Sequence, residues 1–152
     1  MNFFQKIIQK ILEKLLLFFL NCIYKIKFKK ISSYKEFTGK QNIKFSIILP
    51  TYNSDPIYLT QCIKSVINQT YQNWDLCISD DASSSEETIN VLKNNLHNKK
   101  IKIIFNKKNQ NISINSNKSA QMATGDYICL LDHDDFLWPN ALAEASKVLN
   151  KK

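Results

Sequence analysis

The stretch FSIILPTYNSDPIYLTQCIKSVINQTYQNWDLCISDDAS, residues 45–83, decides the fold, because a β-rich run, a helix-like run and a second β-rich run follow one another within it. Phe45 to Leu49 reads as a first strand. Pro56 suits the first position of a helix, where its missing N–H would have no partner in any case. Ile57, Ile63, Val66 and Ile67 then give that helix a buried face up to about Asn68. Trp74 to Ser79 reads as a second strand. Strand, helix, strand is the pattern of a βαβ unit with parallel strands.

The alternation continues downstream. A helix is expected from about Ser85, capped by Ser84 or Ser85, with Glu86 and Glu87 favourable in its first turn. Ile101 to Phe105 is the third strand, and Ser113 to Ala123 a helix ending near Gly125. Tyr127 to Leu131 is expected as a fourth, fully buried strand, and Pro139 to Leu149 as the last helix. The fold class is therefore α/β, a mostly parallel open sheet flanked by helices, occupying residues 45–152.

Open parallel sheets bind ligands beyond the carboxyl ends of their strands. Those positions are polar here: Pro50, Thr51, Tyr52 and Asn53 after strand one, Asp80 and Asp81 after strand two, Asn106 after strand three, and Asp132, His133, Asp134 and Asp135 after strand four. Five carboxylates are thus expected on one rim, where like charges repel unless a cation stands among them. Carboxylates without thiolates favour Mg²⁺ or Mn²⁺, which keep positions open for substrate phosphates. Two plainer readings remain open, with Asp80 and Asp81 as turn and helix-capping residues and the later acids as a solvated turn. Strand alternation points His133 away from Asp132 and Asp134, so it is not expected to act as ligand or base.

The net charge of +8 is unevenly placed. Residues 1–44 hold ten lysines against Glu13 and Glu36, and the rest of the chain balances eleven lysines with eleven acids. A nucleic-acid-binding domain should carry its basic patch within the fold, so nucleic acid is excluded as a partner. In residues 1–30, Phe4, Ile7, Ile8, Ile11, Leu12, Leu15 and Leu16 recur at helical spacing. The apolar run Leu15 to Leu20 is far shorter than the ~20 residues that span a bilayer. Lys25, Lys27, Lys29 and Lys30 follow, each attracted to anionic headgroups by about 1 kcal/mol. An amphipathic helix lying on the membrane, in peripheral contact at the inner, cytoplasmic face of the plasma membrane, is the expectation. A helix packed on another part of the protein is the alternative, and the lack of a small-residue cleavage site argues against a secretion signal. Residues 31–44 read as a linker. Cys22, Cys62, Cys77 and Cys129 form no close pair of metal-ligand spacing, which favours a reducing compartment.

The blocks SIILPTYN, SVINQTYQNWDLCISDDASS and NISINSNKSAQMATGDYICLLDHDDFLWPNAL resemble, in order and spacing, family 2 glycosyltransferases, closest to the subgroup that builds surface polysaccharides such as O-antigen. The resemblance covers about Phe45 to Leu142 and ends in an Asp-x-Asp (DXD) motif. It implies a Rossmann-like GT-A fold that binds a nucleoside-diphosphate sugar and transfers the sugar, with inversion, to a glycan or lipid-linked acceptor. By position, Pro50, Thr51, Tyr52, Asn53, Asp80, Asp81 and Asn117 would belong to the nucleotide-sugar site. Asp132 would contact the ribose or the metal's water shell, and Asp134, with Asp132 beside it, would hold Mn²⁺ or Mg²⁺.

Two departures stand out. Gln110 and Asn111 occupy the place before Ile112 and Ser113 where the subgroup usually has Gly-His. The family's carboxylate base lies well downstream of the Asp-x-Asp motif, so it is expected beyond Lys152. The chain accordingly reads as a donor-binding part, and an inactive nucleotide-sugar-binding fragment acting through a partner is the alternative to an active transferase. Phosphatases with an Asp-x-Asp pair fit worse, since theirs lies near the start of the domain and is followed by Thr or Val rather than by Phe136.

Overall fold

The computed structural model describes residues 42–150. The elements in order are β1 (Phe45–Thr51), α1 (Pro56–Ile67), β2 (Trp74–Asp80), α2 (Glu86–Lys93), β3 (Ile101–Phe105), α3 (Asn111–Gln121), β4 (Tyr127–Leu130) and α4 (Ala141–Leu149). The helix expected in residues 1–30 and most of the linker at 31–44 fall outside the described residues.

The four strands form one sheet in the order β3-β2-β1-β4, and every pair is parallel. Phe45 pairs with Trp74 and Tyr127, and Thr51 with Asp80. β1 and β2 are buried at every position, since each has a strand on either side. Phe45, Ile47 and Leu49 join Trp74, Leu76 and Ile78 in one apolar cluster with Leu59, Ile63, Val66, Leu92 and Leu142. Each fully buried side chain of this kind contributes about 1.5–3 kcal/mol. The alternate positions mix buried apolar residues, Ile48 and Cys77, with the buried polar Ser46, Asp75 and Ser79, and α3 packs on β1 and β2 with Asn115 and Ser119 buried. Right-handed crossovers explain this division, because the connection from β3 back to β4 reverses direction along the sheet and so puts α3 on the other face.

Pro50 sits in a central strand without loss of pairing. Ile48 accepts from Leu131 N–H on the β4 side, and residues of a parallel strand alternate sides. Pro50 therefore faces the β4 side beyond Leu130, where that strand has ended.

Helix starts follow their caps. Asp55 accepts from the N–H groups of Ile57 and Tyr58, with Pro56 just inside the helix, and Ser85 accepts from Thr88 N–H. α4 begins at Ala141 rather than Pro139, because the Pro139 carbonyl accepts from both the backbone N–H and the hydroxyl of Thr70.

β4 is shorter and far more exposed than its sequence predicts. Tyr127, Ile128 and Leu130 are 46, 52 and 79% exposed. An apolar run identifies a strand but not its number of neighbours, and among the described residues β4 pairs with β1 alone.

Candidate functional site

A cavity of about 370 Å³ opens at the carboxyl end of the sheet, lined by Pro50, Thr51, Tyr52, Asp81, Asn109, Asn111, Ile112, Asn115 and His133. Pockets for small molecules start at roughly 300 Å³. Its floor is the end of β1, its far wall the start of α3, and its rim the turn that follows β4.

Asp80 and Asp81 close the floor, both 2% exposed. Asp80 accepts from the hydroxyl of Thr51 at 3.2 Å and from Ser83 through its hydroxyl at 2.5 Å and its N–H at 3.0 Å. Asp81 donates its N–H to the Thr51 carbonyl, and its carboxylate accepts from Gln110 N–H at 2.9 Å and Asn106 Nδ2 at 3.3 Å. Asn106 also donates to Asn115 Oδ1, Asn115 donates to the Thr51 carbonyl, and Lys118 Nζ donates to Asn106 and to Gln110 Oε1. The ends of β1, β2 and β3 are thereby tied to the first turns of α3.

Asn53 adopts a positive φ of 45°. Its Oδ1 accepts from Ser84 N–H at 2.8 Å and Ser85 N–H at 3.1 Å, and its own N–H donates to Ser83 Oγ. It joins the loops after β1 and β2 and does not line the cavity.

The turn after β4 is held from below by α1. Cys62 Sγ donates to the Asp132 carbonyl at 3.4 Å, and Ser65 Oγ accepts from Leu137 N–H at 3.0 Å. Burial, then the nearby charges of Asp135, Asp134 and Asp132, push the Cys62 thiol up to about 12. Gln69 donates to the Trp138 carbonyl and accepts from Leu142 N–H.

Of the residues expected from sequence, Pro50, Thr51, Tyr52 and Asp81 line one cavity and Asp80 lies beneath it. Asn117 is exposed and outside the lining, whereas Asn115 is buried in it. Two residues along a helix rotate a side chain by about 200°, so one of the two must face away. The five carboxylates expected on one rim lie at the carboxyl end of the sheet but form no single cluster. Asp80 and Asp81 are buried with their own donors, while Asp132, Asp134 and Asp135 stand exposed in the turn. No group of three or more His, Cys, Asp or Glu side chains among the described residues is placed to hold a metal. Asp132 and Asp134 still supply hard oxygen donors, and neither forms an ion pair with a described residue. Such a pair fits a hard cation completed by phosphate oxygens, because Mg²⁺ is commonly bound through one or two carboxylates and its substrate.

The place of His133 is not set by strand alternation. His133 lines the cavity, because β4 stops at Leu130 and strand alternation does not reach residue 133. Asn109, Asn111 and Ile112 were also missed, although their place after the third strand was a signal for them.

The family described as glycosyl transferase family 2 matches residues 46–152. The putative glycosyltransferase EpsE of Bacillus subtilis is 36% identical over 110 residues, covering 71% of this chain and 39% of that protein. The UDP-Glc:alpha-D-GlcNAc-diphosphoundecaprenol beta-1,3-glucosyltransferase WfgD of Escherichia coli is 35% identical over 97 residues, 64% of this chain and 37% of that protein. The crystal structure of S. aureus TarS in complex with UDP-GlcNAc superposes with a TM-score of 0.66 at 24% identity, over 72% of this chain and 32% of that one. The chain spans 10–39% of the length of such curated relatives.

Proposed function

The chain belongs to glycosyl transferase family 2, and from that premise we propose that residues 45–152 grip a nucleoside-diphosphate sugar at the carboxyl rim of the sheet. The observation that carries the reading is the cavity of about 370 Å³ lined by Pro50, Thr51, Tyr52 and Asp81. Pro50, Tyr52 and Ile112 offer apolar surface to a base and ribose, and Asp81 fixes the Gln110 backbone that carries the α3 wall. The relatives support a UDP-sugar donor: WfgD bears UDP-Glc in its name, and TarS is seen with UDP-GlcNAc.

Asp132 and Asp134 would hold Mn²⁺ or Mg²⁺ at the rim. Such an ion, when bound, stabilises the charge that develops on a leaving diphosphate. Transfer of the sugar with inversion to a glycan or lipid-linked acceptor in surface-polysaccharide synthesis is the second part of the proposal. Residues 1–30 would set the domain against the cytoplasmic face of the plasma membrane through their apolar face and Lys25, Lys27, Lys29 and Lys30. A peptide of residues 1–30 that fails to sediment with anionic vesicles would remove that last element.

Calorimetric titration of UDP and GDP into the full chain, with and without Mn²⁺, tests the donor site. Binding that needs the ion in the wild type and vanishes in Asp134→Ala is the expected result. A folded chain that binds neither nucleotide would contradict the proposal.

A further inference from the structure

The lining of the cavity is unevenly satisfied. Thr51, Asp81 and Asn115 direct their side chains into hydrogen bonds within the protein. His133 lines the same cavity and makes no hydrogen bond to a described residue through either ring nitrogen. The two nitrogens differ in their surroundings. Nδ1 is buried with no partner among the described residues, whereas Nε2 is not one of the buried atoms left without a partner, and the ring as a whole lines the cavity.

That difference selects a tautomer. A neutral imidazole carries one proton, so one nitrogen donates and the other accepts. A proton on Nδ1 would bury an N–H with no acceptor among the described residues, and orphaned buried N–H groups are rarer than under-used acceptors. A proton on Nε2 leaves only a lone pair buried and turns an N–H towards the cavity.

We propose that His133 presents Nε2–H to the cavity and donates it to an acceptor oxygen of the bound nucleotide, on its ribose or on its diphosphate. This makes His133 a ligand-binding residue between Asp132 and Asp134 in the sequence of the turn, and it rests on the reading of the cavity as a nucleotide site.

Side-chain amides distinguish the two nitrogens, because the amide nitrogen of Gln falls near the place of Nε2 and that of Asn near Nδ1. Titration of UDP into the full-length His133→Gln, His133→Asn and His133→Phe proteins, in the presence of Mn²⁺, tests the assignment. Retention of affinity within about threefold in His133→Gln is expected, with a loss of about tenfold, or 1.4 kcal/mol, in the Asn and Phe proteins. Repeating the series with UMP locates the oxygen: an unchanged penalty places it on the nucleoside monophosphate portion, and a vanished one on the terminal phosphate. Mn²⁺ titrated alone is expected to bind all three variants like the wild type.

Equal affinity in all variants, or a Gln protein as weak as the Phe protein, overturns the inference while leaving the nucleotide site standing. Loss of Mn²⁺ binding in His133→Phe also overturns it, by moving the role of the ring to the ion. A wild type that binds no UDP overturns the nucleotide reading and this inference together.

Discussion

Gln69 Nε2 donates to the carbonyl oxygen of Trp138 at 2.7 Å, joining the chain just past the end of α1 to a segment 69 residues away. The same side chain accepts from Leu142 N–H at 3.1 Å, and it is 2% exposed. Replacing it by an apolar side chain leaves the Leu142 N–H without its acceptor. Gln69→Leu should therefore cost about 1–3 kcal/mol, read as a lower urea midpoint. An unchanged midpoint would mean that water takes over both roles.

Asp81 holds the α3 wall of the cavity through Gln110 N–H and Asn106. Asp81→Ala is expected to weaken UDP binding by about tenfold to a hundredfold, roughly 1.4–2.8 kcal/mol, with the sheet intact by circular dichroism. Wild-type affinity in that variant would detach Asp81 from the site.

At the opposite end of the sheet, Asp75 is buried among the hydroxyls of Ser46 and Thr124, each at 2.5 Å, and the ammonium groups of Lys102 at 3.0 Å and Lys44 at 3.1 Å. Burial by itself would raise its pKa, but these four donors together hold it well below the usual carboxylate range. A carboxylate with a depressed folded pKa stabilises the fold fully above its unfolded value of about 3.9 and loses that contribution as the pH falls towards the folded value. Asp75→Asn should cost about 3 kcal/mol at neutral pH, the low end for unpairing a buried charge because both lysines remain partly solvated. Denaturation at pH 7 and at pH 3 checks the sign: the gap between wild type and variant must narrow in acid.

Gly125 passes over the start of β1 so closely that a Cβ there would lie 2.6 Å from the Lys44 carbonyl oxygen and 2.7 Å from Ser46 N. Both obstacles are backbone. Gly125→Ala is expected to destabilise by about 1–3 kcal/mol, visible as a lower melting temperature. A melting temperature equal to the wild type's would show that the loop moves aside freely.

The strands were legible because runs such as SIIL and CISD are bounded by polar turns, and the βαβ order then fixes the parallel sheet. Ser85 was legible as a cap for the same local reason. What failed depended on distant partners or on phase. The exposure of β4 follows from its place at an edge, which no local pattern encodes. α3 starts at Asn111 rather than Ser113, and the expectation placed Asn117 in the site, whereas the face that α3 turns to the sheet carries Asn115. Asp80 and Asp81 look like turn residues in sequence, and only the approach of Thr51, Ser83 and Gln110 makes them buried acceptors.

Asn53 couples the two loops at the floor of the cavity by taking the N–H groups of Ser84 and Ser85 on a single oxygen. Mechanically the pair behaves as one stiff plate, since neither loop can shift without breaking bonds to the other. Adjustment to ligands of different size then falls to the exposed side chains of the lining, Tyr52 and Ile112, rather than to the backbone beneath them.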